Sequence, residues 1–118
     1  MNMKVLIVED NAAVRRMIRL FIDDVADEIF ECADGDEALA AYRAFHPDWV
    51  LLDIKMKRMN GIAAAAQIKG AFPDAQILVV TSFNDAGLRG LAAEVGVAGF
   101  VLKENLEELR DYVAQWSH

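Results

Sequence analysis

Trp49-Val50-Leu51-Leu52-Asp53 is a run of four apolar residues that stops on a carboxylate. A short apolar run bounded by turn signals reads as a strand buried on both faces, and it puts Asp53 where that strand leaves its sheet. Three other runs end in the same way. Val5-Leu6-Ile7-Val8 meets Glu9 and Asp10, Ile77-Leu78-Val79-Val80 meets Thr81, and Phe100-Val101-Leu102 meets Lys103. In an open parallel sheet the ligand site lies outside the carboxyl ends of the strands, so polar residues at four such ends imply one site.

Between the strands the pattern changes period. Val14, Met17, Ile18, Phe21 and Ile22 follow the i, i+3, i+4, i+7, i+8 stripe of an amphipathic helix, with Asn11 or Asp10 as its N-cap. Arg15, Arg16 and Arg19 fall on the other face, which reads first as solvated and second as a docking surface. Glu28 to Cys32 alternates weakly, as an edge strand does, and Asp34-Gly35-Asp36-Glu37 supplies a turn and an acidic helix start. The second helix runs to about Phe45, where Pro47 blocks continuation. Ile54 to Asn60 has no apolar period, and an alanine-rich third helix follows Asn60-Gly61 and ends near Phe72-Pro73. The fourth helix turns Leu88, Leu91, Ala92 and Val95 inward and stops at Gly96. Gly87 and Gly90 lie inside it, each costing about 0.5 to 1 kcal/mol relative to alanine, so it is expected to be the least stable helix. The last helix buries Leu106, Leu109, Val113 and Trp116.

Five strands alternating with five helices predict an α/β three-layer sandwich around a parallel five-stranded sheet, with right-handed crossovers. The order 2-1-3-4-5 puts the weakest strand at the edge. Residues 1–118 form one domain, long enough to bury a core without disulfides. No apolar run approaches the ~20 residues that span a bilayer, and Met1 to Leu6 enters a strand without a signal-peptide pattern, so no membrane is expected. The single cysteine, Cys32, cannot close an internal disulfide, which suggests a reducing cytoplasm, and its surroundings read as plain core. A net charge of −7 argues against direct binding of nucleic acid by this domain.

Carboxylates converging at one point repel unless a cation holds them together. Oxygen ligands and few acids favour Mg²⁺ over a calcium cage, and the lack of histidine or cysteine nearby argues against zinc. Lys103 adds a fixed positive charge and Thr81 a hydroxyl donor. These are the parts that stabilise a phosphoryl group in transfer, with one carboxylate as its acceptor.

Glu9-Asp10, Asp53, Thr81 and Lys103, with Asn60-Gly61 after the acceptor, resemble the receiver domain of bacterial two-component response regulators, over the chain from Lys4 to about Trp116. The resemblance implies a flavodoxin-like layer order. It implies that Asp53 takes a phosphoryl group from a phosphohistidine on a sensor histidine kinase or a histidine phosphotransfer protein. Asp10 and Asp53 would bind Mg²⁺ through their carboxylates and Lys55 through its backbone carbonyl, with Glu9 acting largely through water. Thr81 and Lys103 would hold the phosphoryl oxygens, and Phe100 matches the aromatic switch position whose rotamer follows Thr81. The resemblance further implies a signalling switch that promotes its own phosphorylation and dephosphorylation. Its output surface would be the fourth helix, fifth strand and fifth helix, which could also carry a homodimer.

Two positions depart from the family pattern. Lys57 stands where a proline is frequent, so a more mobile loop is expected. Glu104 follows Lys103 where a cis proline is frequent, and a trans bond is predicted because a cis non-proline bond costs about 2.5 to 4 kcal/mol. Gly99 to Glu104 is similar to the subfamily with a C-terminal helix-turn-helix, which points to control of transcription. Lys55 and Phe83, each two residues beyond Asp53 and Thr81, are expected to shield an aspartyl phosphate from water. Three rival readings remain. A flavodoxin-like electron carrier needs a Ser/Thr/Gly-rich loop where Glu9-Asp10 stands, and a haloacid-dehalogenase-like phosphohydrolase needs an aspartate where Lys55 stands. A phosphorylation-independent scaffold would have no use for the whole constellation.

Overall fold

The computed structural model describes residues 2–115. Five parallel strands lie in the order β2-β1-β3-β4-β5, with β1 at Lys4–Val8, β2 at Glu28–Cys32, β3 at Trp49–Leu52, β4 at Ile77–Thr81 and β5 at Gly99–Leu102. The intervening helices are α1 (Ala12–Ile22), α2 (Ala38–Phe45), α3 (Gly61–Ala71), α4 (Ala86–Val95) and α5 (Glu108–Gln115). Single 3₁₀ turns at Gly35–Glu37 and Lys103–Asn105 precede α2 and α5. Both the strand order and the number of elements agree with the reading of the sequence.

The period of two along each strand divides its residues between two cores. Val5, Ile7, Trp49, Leu51, Leu78 and Val80 face a cluster closed by Ile18 and Ile22 of α1 and by Leu109 and Val113 of α5. Leu6, Val8, Val50, Leu52 and Ile77 face the other side, against Ala38 and Tyr42 of α2 and Ala64, Ala65 and Ile68 of α3. Val79 belongs to a third cluster with Ile54 and with Ala92 of α4. Fully burying each such aliphatic side chain stabilises the fold by about 1.5 to 3 kcal/mol before conformational entropy is set against it. β2, the edge strand, exposes Glu28, Glu31 and half of Phe30.

Helix ends follow local chemistry. The Asn11, Asn60 and Asp85 side chains accept from the amides of Val14, Ala63 and Leu88 and cap α1, α3 and α4. Gly96 closes α4 in the left-handed conformation (φ 96°), and its amide bonds back to the carbonyls of Ala92 and Ala93. The Lys103–Glu104 bond is trans, as expected for a non-proline residue.

Two residues expected in the core lie outside it. Met17 is 51% exposed, because it sits about 100° around α1 from Ile18, at the edge of a stripe centred on Ile18 and Ile22. Leu91 is 49% exposed, because it faces Ala63 and Ala66 of α3, whose short side chains leave a groove beside it. The arginine face of α1 is only partly solvated, since Arg15 and Arg19 both pair with Glu31 of β2. Trp116 lies outside the described residues.

Candidate functional site

Register brings the polar strand ends level. Val8 pairs with Leu52, so Glu9 and Asp53 leave adjacent strands side by side, and the ladder runs one residue further through the Asp53 amide to the Val8 carbonyl at 3.0 Å. Thr81 ends β4, opposite Leu102, with Lys103 next in the chain. Gly61 makes room behind Asp53, since a Cβ there would lie 1.8 Å from the Asp53 carbonyl oxygen.

The acids come together. One carboxylate oxygen each from Glu9, Asp10 and Asp53 lies within 4.8 Å of the others, and the residues differ sharply in burial. Glu9 is 1% and Asp53 5% exposed, whereas Asp10 is open to solvent. The Lys103 ammonium reaches Glu9 Oε1 at 2.8 Å and Asp53 Oδ2 at 3.3 Å, so its nearer partner is the glutamate and not the acceptor. Backbone amides take the remaining oxygens: Asn11 donates to Glu9 Oε2 at 3.0 Å and Ile54 to Asp53 Oδ1 at 2.9 Å. Glu9 Oε1 is buried, and the Lys103 ammonium is its charged partner.

Burial dominates the electrostatics. It raises the carboxyl pKa of both Glu9 and Asp53 above the ordinary value, against the lowering effect of Lys103 and of the amides that donate to them. Lys103 is shifted upward: burial alone would lower it, but its bond to Glu9 and the charges of Asp53 and Glu9 outweigh that. The cluster therefore holds more negative charge than one ammonium balances, in a place where uncompensated charge is costly. Three carboxylates converging on one point, two of them buried and served by a single ammonium, are a donor set that fits a hydrated hard dication.

Thr81 is fully buried, and its hydroxyl oxygen accepts from the Phe83 amide at 3.3 Å. That leaves the hydroxyl hydrogen to be donated elsewhere. Phe100 is half-buried on β5, and the Arg89 guanidinium of α4 stacks over its ring at 4.4 Å while also donating to Asn84 Oδ1 at 3.2 Å. Lys55 and Phe83, which follow Asp53 and Thr81 by two residues, meet each other, the Lys55 ammonium 4.5 Å from the centre of the Phe83 ring. Cys32 is buried with its thiol pushed up to about 11, chiefly by burial, in keeping with a core role.

The sequence reads Asp34 only as part of a turn and gives Arg89 no role. Asp34 is 3% exposed and accepts from the amides of Arg58 and Met59, each at 2.9 Å, across a sequence distance that no local pattern reports. Arg89 sits on an exposed helix face, where a cation next to a ring is invisible until the strand beside it is placed.

The family model for the response regulator receiver domain matches residues 5–114. Among curated proteins, the response regulator VraR of Staphylococcus aureus is 33% identical over 120 residues, covering 99% of this chain and 57% of its own length. The uncharacterized transcriptional regulatory protein YhcZ of Bacillus subtilis is 36% identical over 109 residues, covering 90% of this chain and 50% of its own. The chain thus spans about half the length of the curated relatives it matches. Among solved structures, a DNA-binding response regulator of the LuxR family from Staphylococcus aureus superposes with a TM-score of 0.86 at 28% identity, covering 96% of this chain and 97% of that one. The chemotaxis protein CheY4 of Vibrio cholerae gives 0.88 at 26% identity, covering 98% of each.

Proposed function

The chain belongs to the response regulator receiver domain family, and on that premise we propose that Asp53 is the residue on which it accepts a phosphoryl group from a phosphohistidine. The donor is a sensor histidine kinase or a histidine phosphotransfer protein. The observation that carries this reading is the convergence of Glu9, Asp10 and Asp53 within 4.8 Å, with the Lys103 ammonium between Glu9 and Asp53.

An oxygen of Asp53 forms the new bond to phosphorus as the phosphorus–nitrogen bond of the donor breaks. The electron pair stays on the imidazole, which leaves neutral once protonated, and the product is an acyl phosphate. Glu9, Asp10, Asp53 and the Lys55 backbone carbonyl would hold Mg²⁺, with Glu9 acting largely through water. When bound, the ion neutralises the carboxylates and the incoming phosphoryl oxygens. Lys103, already 3.3 Å from Asp53, moves its charge from the carboxylate to the phosphoryl group. Thr81 donates its free hydroxyl hydrogen to another phosphoryl oxygen, and the Phe100 ring follows that movement. The switched surface is α4, β5 and α5, available to an output partner or to a second copy, with residues 1–118 acting as one receiver unit. Regulators of transcription among the relatives favour a transcriptional output.

Lys55 and Phe83, in cation–π contact with each other just beyond the ends of β3 and β4, limit the approach of water to the acyl phosphate. Replacing both with alanine should shorten the lifetime of the phosphorylated form at least several-fold, and an unchanged lifetime counts against the shield. The reading as a whole is tested by adding Mg²⁺ and beryllium fluoride while following amide exchange. Altered exchange in α4 and β5 of the wild type, absent in Asp53→Asn, is the expected outcome. An equal response in both proteins would sink it.

A further inference from the structure

We propose that Asp34 is a positioning residue for the metal site, acting through the loop between β3 and α3, and this inference rests on the reading of that site given above. The loop from Ile54 to Asn60 has no regular structure, yet it carries Lys55, whose backbone carbonyl the proposed metal site uses. Its near end is fixed by the Ile54 amide on Asp53 Oδ1 at 2.9 Å and by the Gly61 amide on the Ile54 carbonyl at 2.7 Å. Its far end is fixed, among the buried side chains of the described residues, by Asp34 alone. Asp34 Oδ2 accepts from the Arg58 amide and Oδ1 from the Met59 amide, both at 2.9 Å, and Oδ1 also accepts from Asp36 at 3.4 Å.

Gly35 completes the clasp. A Cβ at Gly35 would lie 2.4 Å from the Met59 carbonyl oxygen, so the loop backbone closes directly on the residue after Asp34. The Arg58 side chain adds Asp36 at 2.9 Å and Glu37 at 3.2 Å, but these pairs are exposed and contribute little. Only Lys55, Met56 and Lys57 then span the gap between the two anchored ends. Asp34 carries a carboxylate because a single side chain must accept two neighbouring amides, which asparagine cannot do without turning a donor toward a donor. Groups that orient the ligands of a metal site commonly change metal affinity about 10- to 100-fold when removed.

The test is Mg²⁺ affinity measured by calorimetric titration of the unphosphorylated protein. Asp34→Ala should raise the dissociation constant about 10-fold, and Asp34→Asn, which keeps one acceptor, should fall between it and wild type. Leu109→Ala, in the core on the opposite face, serves as a control of comparable stability loss and should bind Mg²⁺ as wild type does. Wild-type affinity in both Asp34 variants, or a rise in Leu109→Ala equal to theirs, overturns the role of Asp34. If Asp34→Ala does not fold, Asp34→Asn decides the question. Absence of Mg²⁺ binding by the wild type would remove the metal reading, and this inference with it. Wild-type binding that is lost in Asp10→Asn but unaltered in both Asp34 variants removes this inference alone.

Discussion

Two buried carboxyls in this protein are shifted upward by the same cause. Burial raises Asp53 and Glu9 despite Lys103, so each holds its proton more tightly folded than unfolded. For a raised acid the sign is unfavourable at neutral pH: the ionised form opposes folding, and stability rises as pH falls through the folded pKa. In a chelator, Asp53→Asn should therefore stabilise the fold by about 0.5 to 2 kcal/mol, as measured by urea unfolding near neutral pH. A clear loss of stability would contradict this account of the site. Asp34 has the opposite sign. Burial would raise it, but amides of Arg58, Met59 and Asp36 and the charge of Arg58 hold it below the ordinary range. Its contribution is complete above the unfolded value of about 4 and is lost as pH falls through the lower folded value. Asp34→Asn should cost about 1 to 3 kcal/mol near neutral pH, and the difference from wild type should shrink in urea titrations as pH drops below roughly 4. A cost that does not change with pH would mean that the carboxylate's charge is irrelevant to the clasp.

Among the five helices, α4 has the fewest buried residues. It buries only Ala92 fully, carries Gly87 and Gly90, and bears Arg89 stacked on Phe100 of β5. A Cβ at Gly90 would meet nothing within 4 Å, so Gly90→Ala removes backbone freedom without a clash. It should stabilise the helix by about 0.5 to 1 kcal/mol and slow amide exchange in α4 both before and after addition of beryllium fluoride. Unchanged exchange would show that the glycine does not set the helix's softness. The same elements show what could be read without coordinates. β3 was legible because a strand buried on both faces has no polar residue until it ends, and Asp53 marks that end. Met17 and Leu91 were misplaced because a stripe gives the centre of a helix face but not its width, which depends on how far the facing side chains reach. Asp34 was hidden for a different reason. An acid before Gly-Asp-Glu looks like a surface cap, and its other partners lie 24 and 25 residues away.

At the scale of the whole molecule, two apolar cores grip a sheet whose strand ends all open on one side. That frame holds Asp53 in register with Glu9, while α4, with two glycines and a single buried residue, and the half-buried Phe100 are held less firmly. The division predicts a switch that changes the surface around α4 with little change in the sheet. It also makes a single chemical claim on which the rest depends. Intact-mass measurement after incubation with a small acyl phosphate and Mg²⁺, followed by peptide mapping, tests it most directly. The account predicts one added phosphoryl group, located on Asp53, dependent on Mg²⁺ and absent in Asp53→Asn. A phosphoryl group on another residue, or none on the wild-type protein, would contradict it.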